Sequence, residues 1–466
     1  MEKEKFEFTS GIKRKIITVG LAGVLLLLIG AILPSGGHGD DHGGDHTEQH
    51  DGDHGHDDGH HEEGGNDGHG GDGHGGTPVA DSGEGHGDDH GHEKSWFDRL
   101  VVDLWINNVY FTGLAIIGVF FFAIQYAAQA GWSAYILRIP LSMGTWLPIA
   151  GLLMLVTFLV FNHDIFHWTH ADLYEEGGAH FDGIINGKKA YFFGPGAEGG
   201  GFPVFYVLRM VLFFGIWVWL FTKLRKYAFA EDELAGTDTW FKMRRTSAVF
   251  LVIFAVSSSI AAWDWIMSID THWFSTMFGW YVFASWWVTG LAFITLVVIL
   301  LREAGYLSQV TSNHLHDLGK FVFAFSIFWT YIWFSQFLLI YYANIPEESV
   351  YFVERMRSGQ YAPIFYINLI MNFFFPFLTL MTRDAKRLHV FLKIVCVVVL
   401  AGHWLDFYMM VTPGTLGHSG AFGLTEIGLY LIFGAAFVFV TLSALSKKPL
   451  VAKNHPMLAE AKHHHI

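Results

Sequence analysis

The chain has 466 residues, of which 52% are hydrophobic, 17% aromatic and only 15% charged. Soluble proteins carry about 25% charged residues, so this balance excludes an ordinary soluble globule and points to a membrane. The net charge of -14 implies no nucleic-acid face: the acidic excess is concentrated between Ile16 and Glu93, where lysine and arginine are absent, and the remainder is near neutral.

Apolar runs of about twenty residues, long enough to cross a hydrocarbon core about 30 Å thick, recur ten times and predict an all-α integral membrane protein. The first span lies near 16–33, after "KRK" at 13–15. Only "ILPSGG" follows it, with no A-x-A-like site, so an uncleaved helix is expected rather than a signal peptide. Residues 1–35 thus hold a cytoplasmic N-terminus and this helix, and 36–100 form a His/Asp/Gly-rich periplasmic loop. Within that loop, 36–93 contain thirteen histidines and seventeen carboxylates among glycines. Too little apolar area is available there to offset chain entropy, so disorder is expected. Its imidazoles suit Zn, Cu or Ni, but no fixed ligand spacing recurs. A solvated insert, or a weak buffer of metal or protons, is favoured over a defined metal site.

A nine-helix membrane core over 101–447 and a cytoplasmic tail over 448–466 complete the chain. The second span, near 107–130, carries Gln125 and Gln129. The third, near 143–162, runs into "NHDIFHWTH", with His163, His167 and His170 at its mouth. Arg209 lies two turns into the fourth, near 203–222, and Asp264 near the end of the fifth, near 246–268. After the sixth, near 275–301, His316 and Asp317 stand at the start of the seventh, near 318–342, and Gln336 lies toward its other end. The eighth, near 363–382, brings Asn368 and Asn372 to one face by their spacing of four. In the ninth, near 389–411, "GHWLDFY" puts His403 and Asp406 three apart on one face; the tenth, near 423–446, opens with Glu426. The single cysteine, Cys396, lies in an apolar run and reads as packing. With one cysteine the chain forms no internal disulfide and offers no cysteine-held cluster or CxxCH haem attachment.

With both termini cytoplasmic, 22 of the 29 basic residues fall on the cytoplasmic side, a positive-inside pattern. Ionisable groups inside spans are costly and are functional candidates by default. Asp264, His403, Asp406, Glu426, Gln336 and Arg209 then form a polar funnel opening outward, and His316 with Asp317 a sparser one opening inward. Such half-pathways suit proton exchange. Each group also has a structural alternative. Arg209 and Asp264 suit an interhelical ion pair, and the Asn and Gln side chains suit hydrogen-bonding glue. The His163/His167/His170 face suits solvation better than a metal. Aromatic clusters such as "WYVFASWW" read as interface belts and helix packing, with a quinone channel as the alternative.

Long motifs carry a resemblance. "GWSAYILR" after the second span, "WDWIMSIDTHWFSTMFGWYVFASWWVTG" at 263–290 and "HDLGKFVFAFSIFWTYIWFSQFLLIYYANIPEE" at 316–348 belong to it, as do "GHWLDFYMMVTP" at 402–413 and "LTEIG" at 424–428. Over roughly residues 100–455 the chain resembles the F subunits of bacterial alternative complex III, within the wider polysulfide-reductase (NrfD-like) membrane family. The resemblance implies two four-helix bundles plus two extra helices in the bacterial inner membrane. It also implies a quinol:electron acceptor oxidoreductase whose iron–sulfur clusters and c-type haems reside in partner subunits, beside a homologous membrane subunit, lipid and, as a further candidate, a terminal oxidase. This chain would supply structure and a candidate proton path, hold no metal of its own and not be the redox-active part. Asp264, His316, Asp317, Gln336, His403, Asp406 and Glu426 lie within the matching motifs; His167, His170 and the loop histidines do not.

Two rivals remain. One makes the chain the quinol-binding subunit of the same complex, since quinol oxidation needs a proton acceptor beside the ring. The other is a metal-ion transporter with a histidine-rich loop, which would need paired ligands at the midplane. Most spans here have none near their centre.

Overall fold

The computed structural model describes residues 5–32, 94–234 and 236–465; the expectations for the histidine-rich stretch fall outside the described residues. Ten helices are long and apolar enough to span a membrane: α1 (Ser10–Ile32), α2 (Trp96–Ala127), α3 (Arg138–Ile165), α4 (Val204–Ala230), α5 (Asp238–Trp265), α6 (Phe278–Glu303), α7 (Ser312–Ala343), α8 (Ala362–Thr379), α9 (His389–Leu416) and α10 (Leu424–Leu445). The shortest, α8, has 18 residues, about 27 Å at 1.5 Å per residue. No strand occurs among the described residues. The described residues form an all-helical, multi-pass membrane protein.

The expected spans recur with one substantial difference in length. α2 begins at Trp96, eleven residues before position 107, where Ser95 caps it by accepting from the Asp98 N–H while the Asp98 carboxylate takes the Ser95 N–H. Asp98, Arg99, Asp103, Asn107 and Asn108 lower the hydropathy of this segment. All but Asp98 are nevertheless buried, because α2 runs through the middle of the protein and these side chains meet other helices instead of lipid.

α2 and α6 form the buried centre. α2 packs on α3, α5, α6, α9 and α10, and α6 on α5, α7 and α9; α4 lies between α3 and α5, and α8 rests on α7 and α9. α1 lies against α10, where Gly23 and Gly428 let the two backbones touch. A Cβ on Gly23 would come within 2.6 Å of the Gly428 carbonyl oxygen, and one on Gly428 within 2.7 Å of the Gly23 oxygen. Small residues at such crossings let van der Waals packing join helices in lipid, where the hydrophobic effect offers nothing. α8 is not a regular α-helix. Its segment Ile370–Phe374 is a π turn, which swings Asn372 fully inward.

Contacts between loops define the two ends of the bundle. At one, Phe6 meets Tyr306, Tyr126 meets His455, and the Asn313 side chain donates to the His464 carbonyl. This basic end carries the first and last described residues and most of the described lysines and arginines. At the opposite end, Trp96 donates to Thr425 and Arg355 pairs with Asp270.

Candidate functional site

Asp406 of α9 is completely buried. A carboxyl in that position costs several kcal/mol unless donors replace water. Here three adjacent helices each supply one. The Tyr281 hydroxyl of α6 donates to Oδ1, Trp329 Nε1 of α7 donates to Oδ2 at 2.9 Å, and Asn368 Nδ2 of α8 donates to Oδ1 at 3.1 Å. Asn368 is in turn held by Asn372 Nδ2 at 2.5 Å. The π turn brings Asn372 within reach, and Gly402 leaves room for it: a Cβ there would come within 2.3 Å of Asn372 Oδ1.

One turn away on α9, His403 is equally buried. Its Nδ1 lies 3.0 Å from Ser285 Oγ of α6 and 3.7 Å from Asp406 Oδ2, and the Trp329 ring packs edge-on against it at 5.3 Å. Its Nε2 is buried with no hydrogen-bond partner among the described residues. The spacing of three thus does what it promised: imidazole and carboxyl share one face and one set of neighbours.

A cavity adjoins the carboxyl, bordered by Asp406, Asn368, Gln336, Tyr281, Arg355 and Trp273. It runs from Asp406 toward the end opposite the basic one. Water centres have about 20 Å³ there, room for one or two molecules. Gln336 accepts from Ser275 Oγ at 2.8 Å on its wall. At the mouth, Arg355 of the short helix Pro346–Arg357 is buried, paired with Asp270 at 2.8 Å and bonded to the Met409 carbonyl at 2.9 Å.

The other sequence candidates separate from this site. Asp264 is clamped by Arg209, Nε to Oδ2 at 2.7 Å and Nη2 to Oδ1 at 3.0 Å, and takes a further bond from the Tyr191 hydroxyl at 2.7 Å. Glu426 pairs with Arg99 at 2.7 Å while its other oxygen caps the start of α10 through the Gly423 N–H. Neither carboxylate is hydrogen-bonded to His403 or Asp406. At the basic end, Asp317 pairs with Lys320 at 2.6 Å and lies 2.5 Å from His464 Nε2 of the tail; His316 Nδ1 is buried without a partner. These groups form a separate cluster with no hydrogen bond to His403.

The three mouth histidines do come together, with ring centroids 5.3 Å apart for His163 and His170 and 5.8 Å for His167 and His170. Two of their nitrogens are engaged locally, His163 Nδ1 with Thr169 Oγ1 and His170 Nδ1 with the His167 carbonyl. Among the described residues, no group of three or more His, Cys, Asp or Glu side chains could hold a metal ion.

Sequence reasoning missed several participants. Tyr281, Ser285 and Trp329 read as belt or packing residues, because nothing local marks an aromatic that donates to a distant acid. Arg355 lies outside any span. Asp103 had a usable signal: with Arg99 and Asn107 it forms an i, i+4, i+8 stripe on α2. It is buried, one oxygen 3.2 Å from Asn107 Nδ2 and the other without a partner, and Asn107 accepts from Trp404 Nε1 at 3.1 Å beside His403.

Compared with protein-family models and with curated proteins, the chain finds no match in either.

Proposed function

We propose that the chain is an integral membrane subunit of a quinol-oxidising respiratory complex of the alternative complex III type, in a bacterial inner membrane, and that it exchanges protons through Asp406 and His403. The observation that carries this reading is the convergence of α6, α7 and α8 on one buried carboxyl of α9. A water-sized cavity adjoins that carboxyl, and an imidazole with a free nitrogen stands beside it. Buried carboxyls and imidazoles that water can reach are the groups from which membrane proton relays are built.

The motifs behind the resemblance supply this site. Residues 263–290 contribute Tyr281 and Ser285, 316–348 contribute Trp329 and Gln336, and 402–413 contribute His403 and Asp406. The helix pairings, α2 to α5 among themselves, α6 to α9 among themselves and α1 with α10, support two four-helix bundles with two extra helices. By the positive-inside rule the basic end, with both termini, is cytoplasmic, so the cavity opens outward. In this reading Asp264 and Glu426 tie helices together, while His316 and Asp317 stand at the cytoplasmic approach. Iron–sulfur clusters and c-type haem belong to partner subunits.

A quinol-binding role has one observation in its favour, the aromatic wall of the cavity at Trp273, Phe278, Tyr281 and Trp333. The fully buried carboxyl of Asp406 at the cavity wall, with the buried His403 beside it, favours proton exchange over a ring. The test has two stages. The chain purified under mild conditions should carry multihaem and iron–sulfur polypeptides with it. In vesicles containing that complex, Asp406→Asn should lower proton release per quinol while the subunits stay assembled. An unchanged ratio in an assembled complex would count against the relay, and a chain that purifies alone would count against the complex.

A further inference from the structure

At the basic end, three cations surround one aromatic ring. Arg138 at the start of α3, Arg225 near the end of α4 and Lys448 just past α10 lie 5.2, 5.4 and 5.4 Å from the centroid of Phe229. They border a cleft, open on one side and with about 20 Å³ for water centres, whose other walls include Ser142, Thr145 and the apolar Leu141 and Leu445.

The charges there do not cancel. Arg138 is buried and spends one nitrogen on Asp232 Oδ1 and the Ala228 carbonyl, both at 2.7 Å; its Nη1 is buried with no partner among the described residues. Lys448 reaches Glu233 only at 3.5 Å. Arg225 makes no ion pair among the described residues and lies over the Phe229 ring. The neighbouring Glu231 faces Tyr126, whose hydroxyl donates to it at 3.0 Å, and does not line the cavity. Thr145 Oγ1 is a second buried donor left unused. Three positive groups line the cavity and no carboxylate does, since Asp232, Glu233 and Glu231, which also interacts with Arg138, lie outside its walls, and two unspent donors border the same space.

We infer that this cavity binds a phosphate group, supplied by an anionic phospholipid. A phosphate diester offers several acceptor oxygens and one negative charge, which match the spare donors and the surplus cation. The site lies where α3, α4 and α10 end, at the depth of lipid headgroups, and basic pockets between spans are where anionic headgroups are recognised. Its apolar walls suit the glycerol and upper acyl chains, which a free phosphate lacks.

The test uses the full chain, in its complex where one forms, moved into nanodiscs of phosphatidylcholine with or without phosphatidylglycerol. Lipid retained after delipidating washes is counted by native mass spectrometry. Wild type should keep phosphatidylglycerol, and Arg225→Gln with Lys448→Gln should retain it about tenfold less. Thr145→Val, which leaves every charge in place, should weaken retention less, and Lys242→Gln, an exposed cation on α5 outside the cavity, should not change it. Equal retention in wild type and the Arg225/Lys448 variant overturns the site. Loss in the Lys242 control to the same degree reduces it to general surface charge and overturns it too. Inorganic phosphate that binds the washed protein, with no phosphatidylglycerol retained from the nanodiscs, overturns the lipid as its source.

Discussion

Arg209 of α4 holds Asp264 of α5 by two parallel hydrogen bonds, at 2.7 and 3.0 Å, and the guanidinium also lies 4.1 Å from the Tyr191 ring centroid. A carboxylate gripped in this way is a tie between helices. Asp264→Asn should therefore destabilise the protein by about 3 kcal/mol, because it leaves a largely buried guanidinium without its charge partner. Tyr191→Phe, which removes one donor, should cost about 1 kcal/mol. Thermal unfolding in detergent reads both. A stable Asp264→Asn protein with altered proton release would return Asp264 to the proton path.

Trp329 tests the central site without touching the acid. Trp329→Phe keeps the aromatic packing on His403 and removes one of three donors to Asp406. The expected cost is about 2 kcal/mol, with proton release per quinol lowered while electron transfer to the partner subunits persists. An Asp406 that only latches four helices would show the stability loss with no change in the proton count.

The cluster on α2 makes an opposite pair of predictions. Arg99 is the cation beside two buried carboxyls, Glu426 and Asp103. Arg99→Gln should cost about 3 kcal/mol by leaving buried acids uncompensated. Asp103→Asn should change stability by no more than about 1 kcal/mol, since one Asp103 oxygen has no donor to lose. Unfolding midpoints of the two variants, measured side by side, check the contrast; equal losses would refute it.

Glu231, just past the end of α4, should make stability fall as pH rises. Burial is the main cause that pushes its carboxyl up to about 7, against the lowering effect of the Tyr126 hydrogen bond. A carboxyl whose folded value exceeds its unfolded value contributes fully below the unfolded value, near 4.5, and loses that contribution as pH rises through about 7. Glu231→Gln should flatten this slope and, above pH 7, be more stable than wild type by at most about 3 kcal/mol. Midpoints measured from pH 5 to 8 would show the difference; parallel curves for the two proteins would rule it out.

Ten spans were legible because the free energy of moving a side chain into hydrocarbon is mostly a local property. Where α2 begins was not legible, because Arg99, Asp103 and Asn107 lower the local hydropathy while their partners, Glu426 and Trp404, lie about 300 residues further on. The face shared by His403 and Asp406 was legible from helical spacing alone. That Asp264 pairs with Arg209 and Glu426 with Arg99, apart from His403, was not legible, because depth in the membrane says nothing about which helices are neighbours.

The sequence by itself determined that the protein is helical, crosses the membrane many times and keeps most of its basic residues at one end, since composition and period act residue by residue. Only the tertiary structure decided what surrounds Asp406, because its donors come from 125, 77 and 38 residues away. It also decided which acids are neutralised by arginine and which border a cavity. Those outcomes depend on the packing of α2 and α6 at the centre, and packing is a property of the whole set of helices together.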